Sequence, residues 1–316
     1  MPDVSFASSS LCVAGNVNRD IKTAPFAPGS HLFQDGENSV HDITETIGGG
    51  GANSACMAAG LGARVTLLGK LGRDRLGAQL ELALQKHGVI TRLTFAPGCR
   101  TGSSIALAFE NGQRHFISSL PNNTSLVWQD LQVAAIDSHK HLLRADIWFS
   151  EAMLFEGNRL LFNYARQKGV EVSIDLNWDP QWGVASAAQI AARKQAVRDV
   201  LPLVTLAHGN VRELNEFSDS ADLHTTLERL TKWGAQAVVV HKGAEGAGYF
   251  SQDKFWQEPP ALARCRGNAT GTGDLLSVCL ILLRQQALVS IQDQLRIANE
   301  TVRDFIEGKL NLLPEL

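Results

Sequence analysis

Short apolar runs alternate with amphipathic segments along most of the chain. Amphipathic segments at 160–168 and 291–306 predict helices, because their apolar residues recur at helical spacing. Several apolar runs have the length of a buried strand and end in polar residues. These runs lie at 11–14, 145–149, 170–174, 203–207 and 237–240. Strands that alternate with helices over short connections favour an α/β fold with a mainly parallel sheet covered on both faces.

A second group of segments alternates between polar and apolar residues, which is typical of half-exposed strands. They lie at 43–47, 101–109 and 114–119, and an Asn-Gly pair between the last two favours a hairpin turn. A run of four glycines at 48–51 precedes a small-residue helix expected at 53–61. A dinucleotide-binding loop is the alternative interpretation of this run, but the strand that should precede such a loop lies far upstream.

Composition and charge narrow the possible functions. The 316 residues, 44% hydrophobic and 19% charged, suit a single domain over 1–316 with a small appended part. The net charge is −3 and the sequence has no run of basic residues, so neither nucleic acid nor an anionic membrane is expected as a partner. The five cysteines form no C-x-x-C pair, which indicates reduced thiols and a cytoplasmic protein. We expect no secretory signal and no membrane span.

The clearest chemical signal is a small-residue loop at 268–274, which runs into an apolar segment at 275–283. Gly271 and Gly273 flank Thr272, so the backbone there can approach a ligand closely. The start of the following helix offers unpaired N–H groups to a phosphate or an oxyanion. Asp274 at that point is better suited to take a proton from an attacking hydroxyl than to bind phosphate. An ordinary helix cap is the alternative interpretation of Asp274.

This loop resembles the C-terminal signature of the ribokinase-like, or PfkB, carbohydrate kinases, which reads roughly Asp-Thr-x-Gly-Ala-Gly-Asp. Asn268 stands in place of the first Asp of that signature. The stretch 48–89 resembles the other family signature, with a glycine pair, Ala-Asn, a small-residue helix and Gly-x-x-Gly-x-Asp. An Asn-x-x-Glu motif, Asn210 to Glu213, lies between them in the expected order. The resemblance extends over about residues 11–307.

The resemblance implies a ribokinase-like fold, with a small β-sheet lid built from about 16–48 and 101–121 over the main sheet. It implies an ATP-dependent phosphotransferase that acts on a hydroxyl of a small sugar or sugar-like substrate. ATP and Mg²⁺ are the implied cofactors. Lid sheets in the family often pair between subunits, so a homodimer through the lid is expected.

The resemblance also assigns roles to particular residues. The catalytic group is Asp274 as the base, with the backbone amides of Gly271, Thr272 and Gly273. The candidate substrate ligands are Asp20, Gly49, Gly50, Asn53 and Asn123. The candidate nucleotide ligands are Asn210, Lys242, Gly243, Gly246, Asn268, Thr270 and Asn299. Glu213 is the candidate Mg²⁺ ligand.

The polar ends of two predicted strands add further candidates. Glu151 follows the run at 145–149, and Asp175 and Asn177 follow the run at 170–174. Because ligands bind at strand ends in open α/β sheets, we expect these side chains to line the substrate site. Ordinary polar loop residues are the alternative interpretation of all three, and an ordinary surface lysine is the alternative interpretation of Lys242.

Several functions stay open at this stage. A nucleoside kinase, an inactive sugar-binding regulator of the same fold and a dinucleotide-dependent oxidoreductase are the rivals. The acceptor could be a ring sugar, a keto-deoxy acid, a nucleoside or a phosphorylated sugar. An anionic acceptor needs a cationic pocket, and Arg19, Lys22 or Arg114 could supply one. Asn268 removes a carboxylate from the loop, so activation by K⁺ is not expected.

Overall fold

The computed structural model of the chain describes residues 5–262, 271–286, 289–314 and 316. The strands in these ranges are β1 (Ser10–Ala14), β2 (Asn18–Thr23), β3 (Ile43–Gly48), β4 (Arg64–Gly72), β5 (Ile90–Ala96), β6 (Ser103–Ala108), β7 (Arg114–Ser119), β8 (His141–Arg144), β9 (Glu171–Asp175), β10 (Leu206–Asn210), β11 (Ala237–His241), β12 (Ala247–Ser251) and β13 (Lys254–Glu258). The helices are α1 (Gly50–Gly60), α2 (Arg75–Lys86), α3 (Pro121–Thr124), α4 (Asn158–Gln167), α5 (Ala187–Arg198), α6 (Val211–Ser218), α7 (Leu223–Lys232), α8 (Thr272–Arg284) and α9 (Ile291–Ile306).

The main sheet runs in the order β13-β12-β11-β10-β9-β8-β1-β4-β5. The strands from β11 to β5 are all parallel, whereas β12 and β13 form an antiparallel hairpin at one edge. The parallel sheet expected from the sequence is therefore confirmed. Because parallel strands share one direction, the loops after their carboxyl ends gather at one edge of the sheet.

Both faces of the main sheet are buried, as alternation along β1 illustrates. Leu11 and Val13 belong to the core on the side of α1, α8 and α9. Cys12 and Ala14 belong to the core on the other side, together with α4 and α6. The middle of β1 is apolar because neither face of the sheet meets solvent there. Of the helices within the described ranges, none is long and apolar enough to cross a membrane.

A separate small sheet has the order β3-β2-β6-β7. Its register places Asp20 of β2 beside Ser104 of β6, which in turn pairs with Ser118 of β7. The Ser104 and Ser118 hydroxyls lie 2.6 Å apart, so these side chains share one face of the sheet, here called the Asp20 face. The opposite face carries Ile105 and is here called the Ile105 face.

The prediction of a strand at 145–149 is wrong. The apolar run there forms a turn, and β8 ends before it, at Arg144. Polar residues at both ends of β8 conceal this strand in the sequence, yet His141 and Arg144 are fully buried. The Arg144 guanidinium donates hydrogen bonds to Asn158 Oδ1 and to the carbonyl of Ala14, which satisfy it inside the core. The strand predicted at 203–207 is shifted as well, because β10 begins at Leu206.

Candidate functional site

The N-terminus of α8 is the centre of the candidate site. Gly271 precedes the helix with φ of +81°, a backbone conformation that favours glycine. A Cβ on Gly271 would also lie 2.6 Å from Cε of Met57. Thr272 and Gly273 begin the helix and Asp274 follows in its first turn, so the helix predicted after the loop is present. The apolar remainder of α8 is buried and fixes the direction of this turn.

Asp274 has the electrostatic properties of a base that works near neutral pH. Its Oδ2 accepts a hydrogen bond of 3.3 Å from Nδ2 of Asn53 in α1. Burial and the negative charges of Asp146, Glu213 and Asp20 raise the pKa of Asp274 to about 7. A carboxylate with this pKa can both accept and release a proton at physiological pH.

Four other carboxylates come from separate segments of the chain to the same end of the main sheet. Asp20 lies in β2, Asp146 follows β8, Asp175 ends β9, and Glu213 lies in α6. Burial raises the pKa of each of the four, and negative neighbours raise that of Asp175 further, with Asp274 and Glu213 foremost. Such crowding of carboxylates indicates a site that binds a cation or transfers a proton, rather than a purely structural core.

Asp146 organises the glycine run at the start of α1. Its carboxylate accepts hydrogen bonds from the backbone N–H groups of Asn16 at 3.0 Å, Gly51 at 2.9 Å and Gly50 at 3.3 Å. A Cβ on Gly50 would lie 2.9 Å from Asp146 Oδ1, so this close approach requires glycine. Gly49, with φ of +92°, is the residue before the helix. Sequence reasoning missed Asp146 because it falls inside the run wrongly predicted as a strand.

Two of the predicted substrate ligands carry unpaired polar atoms. Asn53 Oδ1 and Asn123 Nδ2 are buried and have no hydrogen-bond partner in the described part of the chain. Asn123 is held in place through its Oδ1, which accepts from the backbone N–H of Val17 at 3.2 Å. Asp20 is fixed by a 2.8 Å hydrogen bond from Asn18 Nδ2. Buried polar groups without partners are costly in a folded protein, and a hydroxyl-bearing ligand would satisfy them.

Asn210 and Glu213 form a reciprocal cap at the start of α6. The Glu213 carboxylate accepts from the Asn210 backbone N–H at 2.9 Å, and Asn210 Oδ1 accepts from the Glu213 N–H at 2.9 Å. Glu213 remains partly exposed while these hydrogen bonds fix its position. The Asn and Glu of the predicted Asn-x-x-Glu motif therefore cap the start of α6 by hydrogen-bonding to each other.

The turn after β11 contains the predicted residues Lys242, Gly243 and Gly246. Both glycines have positive φ, +57° and +89°, and the Lys242 N–H donates to the Gly246 carbonyl to close the turn. The Lys242 ammonium donates a 2.7 Å hydrogen bond to Oε1 of Gln257 in β13. It is therefore already engaged with the edge hairpin rather than projecting freely over the site.

Two other predicted nucleotide ligands lie outside the described residues, namely Asn268 and Thr270. A third, Asn299 of α9, is buried, and its Nδ2 donates to the carbonyls of Glu258 and Pro259. These bonds hold the segment that follows β13 against α9. The side-chain amide of Asn299 thus stabilises the backbone at this end of the sheet.

Glu151 does not belong with the other predicted substrate ligands. It follows the turn at 145–150 rather than a strand, its side chain is 80% exposed, and one oxygen lies 3.7 Å from a guanidinium nitrogen of Arg193. Its side chain therefore contacts Arg193 rather than another predicted substrate ligand, and its role in substrate binding stays a prediction. Asp175 and Asn177 do lie at a strand end, and Asn177 Oδ1 accepts from the backbone N–H of Asp146.

His241, at the carboxyl end of β11, is a neighbour of the site that the sequence did not reveal. Its Nε2 lies 3.2 Å from the hydroxyl of Ser277, one turn along α8 from Gly273. A Cβ on Gly273 would lie 3.2 Å from Nδ1 of His241, so the imidazole packs against the first turn of α8. Burial lowers the pKa of His241 to about 4, which keeps the ring neutral.

The sequence profile of the pfkB family carbohydrate kinases matches residues 8–300. This chain belongs to that family. As a member it is a carbohydrate kinase, which confirms the family, the fold and the enzyme class expected from the sequence.

Individual relatives of this kinase are distant. The ribokinase of Mus musculus is 24% identical over 268 residues, which are 82% of this chain and 78% of the mouse protein. A putative ribokinase II from E. coli, solved in complex with ATP and Mg²⁺, superposes with a TM-score of 0.80 at 18% identity and covers 96% of both chains. The adenosine kinase of Sinorhizobium meliloti also gives a TM-score of 0.80 at 18% identity, covering 95% of this chain and 94% of its own. At these identities the solved structures establish the fold.

Proposed function

We propose that this kinase transfers a phosphoryl group from ATP to a hydroxyl of a small sugar-like acceptor, with Asp274 as the general base. The observation that supports this most directly is the position of Asp274 in the first turn of α8, with a pKa raised to about 7 by burial and by neighbouring carboxylates. A proton acceptor beside an anion-binding helix start is the arrangement that phosphoryl transfer to a hydroxyl requires.

The acceptor is oriented by the polar groups on the side of α1 and the small sheet. Asp20 accepts hydrogen bonds from acceptor hydroxyls, while Asn53 Oδ1 and Asn123 Nδ2 gain the partners that they lack in the protein alone. The hydrogen bond from Asn53 to Asp274 aims the base. The Asp274 carboxylate then takes the proton of the reacting hydroxyl as the hydroxyl oxygen bonds to the γ-phosphorus of ATP. The bond from that phosphorus to the bridging oxygen breaks, and ADP leaves.

The transferred group is stabilised by the first turn of α8. The backbone N–H groups of Gly271, Thr272 and Gly273 are at the helix start, where the helix dipole favours negative charge. The neutral imidazole of His241 lies against the same turn and adds a polar group beside it. The small sheet acts as a lid on the acceptor, and with the main sheet it forms a single kinase domain.

The chain also fits Mg²⁺, although no group of three or more His, Cys, Asp or Glu side chains in the described ranges could by itself hold a metal ion. Mg²⁺ prefers oxygen ligands and keeps several of its waters, so one or two carboxylates suffice. Glu213 and Asp175 are the carboxylates that would hold it, together with nucleotide phosphates. When bound, Mg²⁺ neutralises charge on those phosphates.

A nucleoside acceptor is the second candidate. Phe116 of β7 lies on the Asp20 face of the small sheet, and it is 51% exposed. An exposed aromatic ring on the acceptor side could stack on a nucleobase.

We further propose a homodimer formed by the Ile105 face of the small sheet. Ile43, Ile105 and Ile117 lie on this face and are 58%, 39% and 56% exposed. Exposed apolar side chains grouped on one face favour a protein partner, and a second copy would cover them symmetrically.

The test of the proposed function is ADP release with Mg-ATP over a panel of sugars, sugar acids, sugar phosphates and nucleosides. Asp274→Asn keeps the shape of the side chain and should lower turnover by roughly 10²- to 10⁴-fold. Nucleotide binding should persist in this variant. Turnover close to that of the wild type would contradict the role of Asp274, and the absence of ATP binding by the wild type would contradict the kinase proposal as a whole.

A further inference from the structure

The Asp20 face of the small sheet carries two cations that the proposed chemistry does not use. Lys22 follows Asp20 by two residues in β2, so both side chains project from the same face. Arg114 begins β7 and pairs with Ala108 of β6, in the register that places Ala106 beside Lys22. Arg114 therefore projects from this face as well.

Neither cation is neutralised by a direct salt bridge among the residues that the structure describes. Lys22 is half-buried, and its pKa is lowered by burial and by the charge of Arg114, with Asp20 opposing the shift. Two positive charges therefore lie near each other on this face with one carboxylate, Asp20. An anionic group placed between them would relieve their repulsion.

The third cation that the sequence offered, Arg19, is excluded by the same register. Arg19 precedes Asp20, so its side chain projects from the Ile105 face. There its guanidinium lies 3.4 Å from a carboxylate oxygen of Glu45, and the pair is neutral. The structure thus distinguishes residues that the sequence could not rank.

The spacing along β2 suits the far end of a small acceptor. Two residues of an extended strand span about 7 Å, which is roughly the length of a six-carbon chain. An acceptor whose reacting hydroxyl meets Asp274 and whose middle hydroxyls meet Asp20 would extend its opposite end toward Lys22. Long side chains from β2 and β7 can converge there across the two intervening strand spacings of about 5 Å each.

We infer that the acceptor of this kinase carries a negative charge, a carboxylate or a phosphate, at the end opposite the reacting hydroxyl, and that Lys22 and Arg114 bind it. The inference rests on the proposed function and adds the chemical class of the substrate. A sugar acid and a sugar phosphate share the chemistry that this pair recognises, because both present oxygens of an anion to two hydrogen-bond donors.

The experiment compares ADP release for acceptors of matched size: a neutral sugar, the corresponding sugar acid, the corresponding sugar phosphate and a nucleoside. Lys22→Met removes the charge and keeps the length of the side chain, and Arg114→Gln removes the second charge. For the preferred anionic acceptor we expect Lys22→Met to raise KM roughly 10- to 100-fold, with a smaller rise for the more exposed Arg114→Gln. Arg19→Gln removes a charge from the same strand on the other face and should leave this KM within about twofold.

The outcomes separate the inference from the proposed function. Preference for the sugar acid or for the sugar phosphate identifies which anion is bound, and its loss in Lys22→Met supports the inference. Preference for the neutral sugar or the nucleoside, or an equal effect of Arg19→Gln, overturns it while the kinase assignment stands. If no acceptor releases ADP, calorimetric binding of the same sugar acid and sugar phosphate decides. Binding that Lys22→Met weakens supports the anion site although kinase activity fails, and absence of binding overturns the site.

Discussion

Replacing Asp274 should make the protein more stable as well as less active, and the gain should depend on pH. In the unfolded chain the carboxyl group has its ordinary pKa of 3.8, whereas in the folded protein burial and neighbouring negative charges raise the pKa to about 7. Between these values the folded state holds a proton that the unfolded state releases. Stability therefore falls as pH rises through this interval, and the loss is complete above about pH 7.

The size of the effect follows from the difference of about 3 pKa units, which corresponds to an upper value of about 4 kcal/mol. Asp274 keeps some contact with solvent, so a gain of about 2–4 kcal/mol is expected for Asp274→Asn at pH 8. Near pH 4.5 the carboxyl group is protonated in the folded wild type but still largely ionised in the unfolded chain, whose pKa lies only slightly lower, and the gain should shrink to about 1 kcal/mol.

The assay is urea unfolding of the wild type and Asp274→Asn at several pH values between 4.5 and 8. Asp74→Asn is a control of opposite sign. Burial opposes the ionisation of Asp74, but hydrogen bonds from Thr101 and Gly77 outweigh it and lower its pKa. Asp74→Asn should therefore lose stability at pH 8. Because the pKa of Asp74 is 3.8 in the unfolded chain and lower in the folded protein, this loss should stay nearly constant down to pH 4.5. The electrostatic reasoning would be refuted if the difference in unfolding free energy between Asp274→Asn and the wild type were the same at pH 4.5 and pH 8. It would also be refuted if Asp274→Asn were less stable than the wild type at pH 8.

Three further predictions concern other parts of the molecule. Glu213→Gln should raise the Mg²⁺ concentration needed for half-maximal turnover by roughly 10- to 100-fold, measured by ADP release over a MgCl₂ series; an unchanged requirement would argue against this ligand. Asp146→Ala leaves three N–H groups, two buried and one partly buried, without an acceptor and should lower the free energy of unfolding by roughly 3–5 kcal/mol. A loss under about 1 kcal/mol would contradict its organising role. Ile117→Asp places a charge on the Ile105 face and should convert a dimer to a monomer in light scattering; an unchanged mass would exclude this interface.

Elements with a strong local pattern could be predicted from the sequence. α9 occupies 291–306 as expected, because Ser290 caps its start and its apolar residues keep helical spacing. α8 follows the glycine loop and continues through the apolar run, because the helix is buried almost all round. In both cases a single stretch of sequence contains the signals for the start, the buried surface and the end.

β8 and Asp146 could not be predicted, because their environment comes from distant parts of the chain. Arg144 can be buried because Asn158 and a carbonyl of β1 accept hydrogen bonds from its guanidinium. No pattern in the sequence around Arg144 predicts these partners. Asp146 binds backbone groups that precede it by about 95 and 130 residues. The family signature identified Asp274 and Asn53, whereas His241 and Asp146 emerge only from the three-dimensional contacts.

The place of β1 in the middle of the main sheet has a consequence for how the chain folds. Its paired residues in β4 and β8 lie 54 and 130 positions further along the chain, and the bond from Asn53 to Asp274 joins residues 221 positions apart. Closing such long loops costs chain entropy before the contacts that they enable can form. We therefore expect slow refolding through populated intermediates. The site around Asp274 should assemble last, after the C-terminal helices pack against a sheet that is already formed.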